Sequence, residues 1–308
     1  MKRIALALAA AALLSPLAAL HAQGKLEHKF PDGRKTTVNN YVKVEQTLTI
    51  AGMEIPTTSE QNITTSEANG KRQSNGTLVS EHNIESLQST IKVAGMEITF
   101  DSVNPDAPRP GTQLDAFIDV FKAVAKSSWM VTYGQDNSVV SVKGREDALQ
   151  GLPEALRASM AKQFDPDYLA EQSNQELKVL PDGPVKQGDT WEREATVLFD
   201  SYQSMTFTTV YTYAGTVEKD GKSLDKINSK TTKVSYAMGA DSPSPLKIVD
   251  SDLKVTESNG TILFDRIAGM VVDSKDKKHI AGSLKCEAGG KELSGKLDLI
   301  FETTSNRS

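Results

Sequence analysis

Residues 111–127 read GTQLDAFIDVFKAVAKS, and they open the only part of the chain, 112–180, that reads as helix. Leu114, Phe117, Ile118, Phe121, Val124 and Ala125 fall at offsets that trace one face of an α-helix. Gln113, Asp115, Asp119, Lys122 and Lys126 occupy the opposite face, so the helix is expected to lie on a surface and bury one side. Thr112, followed three residues later by Asp115, resembles a capping box, and Pro110-Gly111 separates it from what precedes. Burying two phenylalanines at about 1.5–3 kcal/mol each favours docking.

Working outward, residues 127–144 (SSWMVTYGQDNSVVSVKG) predict a hairpin with strands over 129–133 and 139–142. Pro153 suits the first position of a second helix carrying Leu152, Leu156, Met160 and Phe164. Asp165-Pro166 predicts an N-cap and first turn for a third, bearing Tyr168 and Leu169. The centre is therefore helix, hairpin, helix, helix.

Strand patterns lie on both sides. KTTVNNYVKVEQTLTI, residues 35–50, alternates: Val38, Val42, Val44, Leu48 and Ile50 share one parity, while Lys43, Glu45, Thr47 and Thr49 share the other. That is a long antiparallel strand with one buried and one wet face. The string IAGMEI at 50–55 is echoed by VAGMEI at 93–98 and more weakly by IAGMVV at 267–272. Gly52 and Gly95 are expected at a bulge or sharp bend. After a turn at Pro181-Asp182-Gly183-Pro184, strands are expected near 191–199, 205–213, 224–236, 246–255, 261–267, 270–272 with 280–284, and 293–301. Asp220-Gly221, Asn259-Gly260 and Gly289-Gly290 are expected to separate several of them.

The fold class that follows is α+β, mainly β: a large curved antiparallel sheet, an open half-barrel, covered on its concave face by the central helical insertion. A flat sheet of this size would leave apolar area uncovered, and twist curls it. One domain over 23–308 is expected, with a strand arm at 36–103, the helix-hairpin-helix middle at 112–180 and a second strand arm at 187–304.

Residues 1–22 carry Lys2 and Arg3, an apolar run over 4–20 and the small residue Ala22, the pattern of a cleaved signal peptide. Export to the periplasm or beyond is the expectation. No later stretch approaches the roughly 20 apolar residues of a membrane-spanning helix. The formal charge is −5, and removing Lys2 and Arg3 leaves 33 basic against 40 acidic residues, a balance of −7. Without a dense basic run, no nucleic-acid partner is expected. Cys286 is the single cysteine, so no internal disulfide can form; packing or an intermolecular bridge are the two readings.

Chemistry-bearing patterns are sparse. His28, His82 and His279 have no metal-ligand spacing, and His82 and His279 lie in polar stretches that suggest solvation. Asp165 with Asp167, and Asp250 with Asp252, lack the third acid and glycine of a calcium loop. There is no nucleophile elbow, phosphate loop or dinucleotide fingerprint. No catalytic residue, metal or cofactor is therefore expected.

Gly188-Asp189-Thr190-Trp191, after a proline turn and before a strand-rich end, resembles the strand start of an uncharacterised family of exported bacterial β-rich domains. That resemblance implies no activity. In architecture the expected fold is also similar to bacterial half-barrel carriers of lipoproteins and lipids, which implies an apolar ligand held between sheet and helices. Phe117, Phe121, Trp129, Leu156, Met160, Phe164 and Trp191 are the expected lining. The other function class is an envelope interaction protein that pairs through an exposed sheet edge.

Overall fold

The computed structural model describes residues 24–308 apart from 107–108, 110, 112–113, 200–201, 240–241 and 243. The expected signal peptide and the expected cap at Thr112 lie outside the described residues.

The first strand hairpins are β1 (Lys35–Ile50) with β2 (Met53–Asn69) and β3 (Leu78–Val93) with β4 (Met96–Asp101). The middle contains α1 (Asp115–Ala125), β5 (Ser128–Tyr133), β6 (Val139–Lys143), α2 (Glu154–Met160) and α3 (Pro166–Leu177). The second arm is β7 (Thr190–Leu198), β8 (Gln203–Lys219), β9 (Lys222–Met238), β10 (Leu246–Asp265), β11 (Met270–Ala288) and β12 (Lys291–Arg307). The strands form one antiparallel sheet in the order β6-β5-β3-β2-β1-β12-β11-β10-β9-β8-β7, with β4 on β3. The first and last strands pair from Val38↔Arg307 to Ile50↔Gly295, so the two arms become one surface. The fold is mainly β, a large, curved, open sheet with a small helical insertion among its strands.

The IAGMEI echoes are hairpin turns rather than bends within a strand. Ala51-Gly52 and Ala94-Gly95 both have positive φ (49° and 85°, 48° and 84°), the backbone of a two-residue turn matched to strand twist. Asn259-Gly260 is not the expected turn. It lies inside the 20-residue β10, where a side chain at 260 would overlap Ser229 Oγ. Glycine is there for close approach between strands.

Gly260 also marks a fork. β9 and β10 pair only from Gly260↔Ser229 to Phe264↔Asp225. At the fork Thr231 N donates to Ser258 Oγ at 2.8 Å in place of a ladder bond. Beyond it the free ends of β8 and β9 fold over the sheet. Lys278 on β11 lies 5.8 Å from the ring of Phe207 on β8, three strands away in sheet order. Strands about 4.8 Å apart in a flat sheet could not meet so closely, so these layers are face to face. Between them Met205, Leu253, Ile280, Leu284, Cys286, Leu297 and Leu299 make a buried core. Cys286 has no exposed surface and packs inside it, where an intermolecular bridge is sterically barred.

α1 lies on the same face of the sheet farther along. Leu114, Ile118 and Phe121 pack on Leu87, Ile98 and Phe100, while Val120 turns to a second cluster with Leu149, Leu152 and Phe164. The helix thus buries two sides, and Phe117, expected inward, is 42% exposed.

Candidate functional site

α3 closes the gap between the two ends of the sheet. Asp165 caps it by accepting from Asp167 N and Tyr168 N, as its sequence position predicts. Asn174 accepts from Val139 N and donates to Val139 O, both at 2.8 Å, continuing the ladder of β6 with an amide side chain. On the far side Gln175 accepts from Thr196 N at 3.1 Å and Gln172 donates to Thr196 O at 2.8 Å, on β7. The sheet therefore curls until its edges stand about one helix diameter, roughly 10 Å, apart. These edge groups, which would otherwise recruit another chain, are satisfied internally.

Register places Val42 and Val44 of β1, Ser59, Gln61 and Ile63 of β2, and Phe301 and Thr303 of β12 on the inner face. All are half-buried. On the same face Ile50, Ile280, Leu297 and Leu299 at one end, and Val38 and Thr65 at the other, are buried. The middle of the inner wall is half-buried and amphipathic; Val44 there packs against the sandwich core and Ile63 against the core under α1.

The end of that wall beneath α3 is polar. Arg307 donates to Glu67 Oε1 at 3.2 Å, and His82 Nδ1 lies 3.7 Å from the same oxygen. His82 stacks on Trp129 at 5.3 Å, and Arg145 sits 4.5 Å from the Trp129 ring. Arg34 donates to Ala268 O at 3.0 Å and stands over Phe30, which stacks on Tyr133 at 4.1 Å. Burial, with the charge of Arg307 next, lowers the His28 and His82 pKa values to about 4, so both rings are neutral at pH 7. Desolvation pushes the Glu67 and Glu176 carboxyls above their ordinary value, opposed by Arg307. Glu176 keeps accessible surface although it is desolvated.

His82 is therefore not solvated as its polar neighbours suggest; it is 7% exposed. Its pairing with Glu67 and Trp129 turns it inward. His279 does reach the surface and meets Asp298 at 3.1 Å. The expected lining residues divide among several clusters. Phe121 packs on Phe100, Leu156 and Met160 pack with Phe164, and Trp191 stacks on Tyr211 while donating to Val179 O at 2.8 Å. Arg145 connects two of them, lying near the Trp129 ring and 5.5 Å from that of Phe164, and Val124 packs against both the Phe121 and the Phe164 clusters. The polar residues of the inner end are spread across β1–β3, β12 and the chain entry; no spacing in the sequence joins them. Among the described residues no His, Cys, Asp or Glu group has a metal-holding arrangement, and no helix is long and apolar enough to cross a membrane.

Weak structural likenesses exist. Lipovitellin, described for its lipid–protein interactions, aligns at a TM-score of 0.39 and 9% identity over 91% of this chain. The chain spans about a quarter of the lipovitellin chain, 25%. A Bacteroides fragilis protein with a YmcC-like fold aligns at 0.22 with 8% identity, covering 90% of this chain and 99% of its own. An outer membrane channel from Pseudomonas putida F1 also aligns at 0.22, with 10% identity, covering 92% and 98%. No curated protein matches the sequence. One family model does match, over residues 75–271, from the loop before β3 through the helical middle to the start of β11. That span takes in the Gly188–Trp191 strand start and more than half of the chain, which therefore belongs to the family of unknown function DUF6263.

Proposed function

We propose that this protein is an exported, non-enzymatic carrier, periplasmic or secreted, that holds a hydrophobic, lipid-like ligand between its curved sheet and its helices. The observation that carries the reading is the half-buried strip of Val42, Val44, Ile63 and Phe301 along the middle of the inner face. Apolar side chains on a concave wall, interleaved with a few polar groups, are the usual composition of a small-molecule site. The polar end offers buried histidines and carboxyls but no nucleophile–base pair in hydrogen-bond contact, so the reading assigns it binding rather than turnover. Pairing with an envelope partner through a sheet edge is less well supported, because α3 caps Val139 on β6 and Thr196 on β7.

The test is native mass spectrometry, with organic extraction, of protein purified after export. A bound mass in the range of a lipid is expected, lost on extraction and regained on adding fatty acid. A clean ligand-free mass, together with no uptake of a fluorescent fatty-acid analogue, overturns the carrier.

A further inference from the structure

The polar end beneath α3 has more hydrogen-bond donors than acceptors. A guanidinium carries five N–H donors. Arg34 makes one side-chain hydrogen bond, to Ala268 O, and Arg307 makes one, to Glu67 Oε1. The Nε2 atoms of His28 and His82 are buried without a partner. Buried polar groups in folded proteins are otherwise almost always paired. Elsewhere the same fold follows that rule closely. Asp225, 3% exposed, takes Tyr213 Oη at 2.7 Å and both the Nε and an Nη of Arg266 at 3.0 and 2.6 Å. The buried Asp225 group is complete within the chain, whereas the half-buried guanidiniums of Arg34 and Arg307 are not.

The incomplete group centres on Arg307, whose charge acts on His28, His82, Arg34 and Tyr133 alike. Glu67 is the acceptor there, and burial raises its carboxyl above the ordinary value. What such a site lacks is a compact group rich in acceptor oxygens. A phosphate or carboxylate meets arginines in the geometry that guanidinium favours.

Position connects this end to the apolar strip. Arg307 and Phe301 lie on one face of β12, paired with Val38 and Val44 of β1. The six residue steps from one to the other span about 20 Å at roughly 3.3 Å per residue. One leaflet of a bilayer's hydrocarbon core is about 15 Å deep, which is the reach of an acyl chain.

We propose that Arg307, with Arg34, His82 and Tyr133, seats the oxyanionic headgroup of an amphiphile whose chain lies along Val42, Val44, Ile63 and Phe301. This rests on the carrier reading and adds the headgroup chemistry to it. Lipid phosphate, fatty-acid carboxylate and free phosphate share that chemistry, so the probes separate them.

The experiment uses the full exported chain, stripped of co-purifying lipid, and measures binding of oleoyl lysophosphatidate, oleate and mono-oleoylglycerol by calorimetry. The wild type is expected to bind both anionic probes about tenfold or more tighter than the neutral one, as charge-assisted bonds to arginine imply. Arg307→Gln is expected to close that gap. Inorganic phosphate is expected to weaken lysophosphatidate binding beyond its effect on mono-oleoylglycerol. Should Arg307→Gln not fold, Arg34→Gln or the paired Glu67→Gln/Arg307→Gln, which leaves no lone buried charge, reads the same difference. Equal affinity for charged and neutral probes overturns the headgroup seat and leaves the carrier standing. Binding of none of the three overturns both, and binding of inorganic phosphate alone overturns the amphiphile and retains only an anion site.

Discussion

A methyl group at Gly282 has nowhere to go: a Cβ there would overlap the carbonyl oxygen of Asp252 on the neighbouring strand β10. Only backbone movement relieves it, so Gly282→Ala should cost about 2 kcal/mol or more in urea melts, at the upper part of the overpacking range. His82 and His28 test a different property of single residues. Each folded ring holds its proton less tightly than the unfolded chain does, having been lowered from 6.5 to about 4. Between those values unfolding takes up protons, so stability falls as the pH drops, by on the order of 3 kcal/mol per ring. Glu67 and Glu176 act in the opposite sense, because their raised folded pKa values make acidification favourable just above the ordinary carboxyl range. Urea melts between pH 7 and pH 4.5 should therefore show a net loss, and His82→Gln should make the slope shallower by up to one proton. An unchanged slope would mean that His82 is already solvated and charged in that range.

At the scale of elements, the decisive contacts are those that α3 makes with strand ends it does not belong to. An Asn and two Gln stand in for missing strands at Val139 and Thr196. Replacing Asn174 by Leu leaves the Val139 amide and carbonyl without these partners and should cost about 1–3 kcal/mol. Hydrogen exchange should report it locally: Val139 should exchange faster, while amides of β12 at the centre of the sheet keep their protection. Freeing these groups on both edges with Asn174→Leu, Gln172→Ala and Gln175→Ala should add concentration-dependent self-association, visible by light scattering, since bare edges recruit other strands. The sequence makes α3 legible through Asp165-Pro166. It does not make the edge contacts legible, because amides on a polar helix face look like ordinary solvated residues until two strands are brought beside them.

For the whole molecule, the fork at Gly260 divides the inner face into a packed sandwich and a half-covered wall. These should respond differently to the same class of change. Ile280 has no exposed surface in the sandwich core, so Ile280→Ala should cost about 2–5 kcal/mol. Phe301→Ser on the half-covered wall should cost less than that and should instead abolish uptake of a fluorescent fatty-acid analogue. Urea melts and probe titrations of the two variants check both halves of the contrast. If Phe301→Ser proved the more destabilising change while probe uptake persisted, the wall would be ordinary core. What the sequence determined by itself was local: alternation wrote the long strands, a 3.6-residue recurrence wrote α1, and the Asp220-Gly221 and Gly289-Gly290 turns wrote two of the hairpins, because each is a property of neighbours in the chain. Tertiary structure alone decided that β1 meets β12, that β10 passes straight through Asn259-Gly260, and that His82 turns inward beside Glu67 and Arg307. Those outcomes depend on pairings between residues far apart in sequence, where register and curvature, not local pattern, determine which side chains share a face.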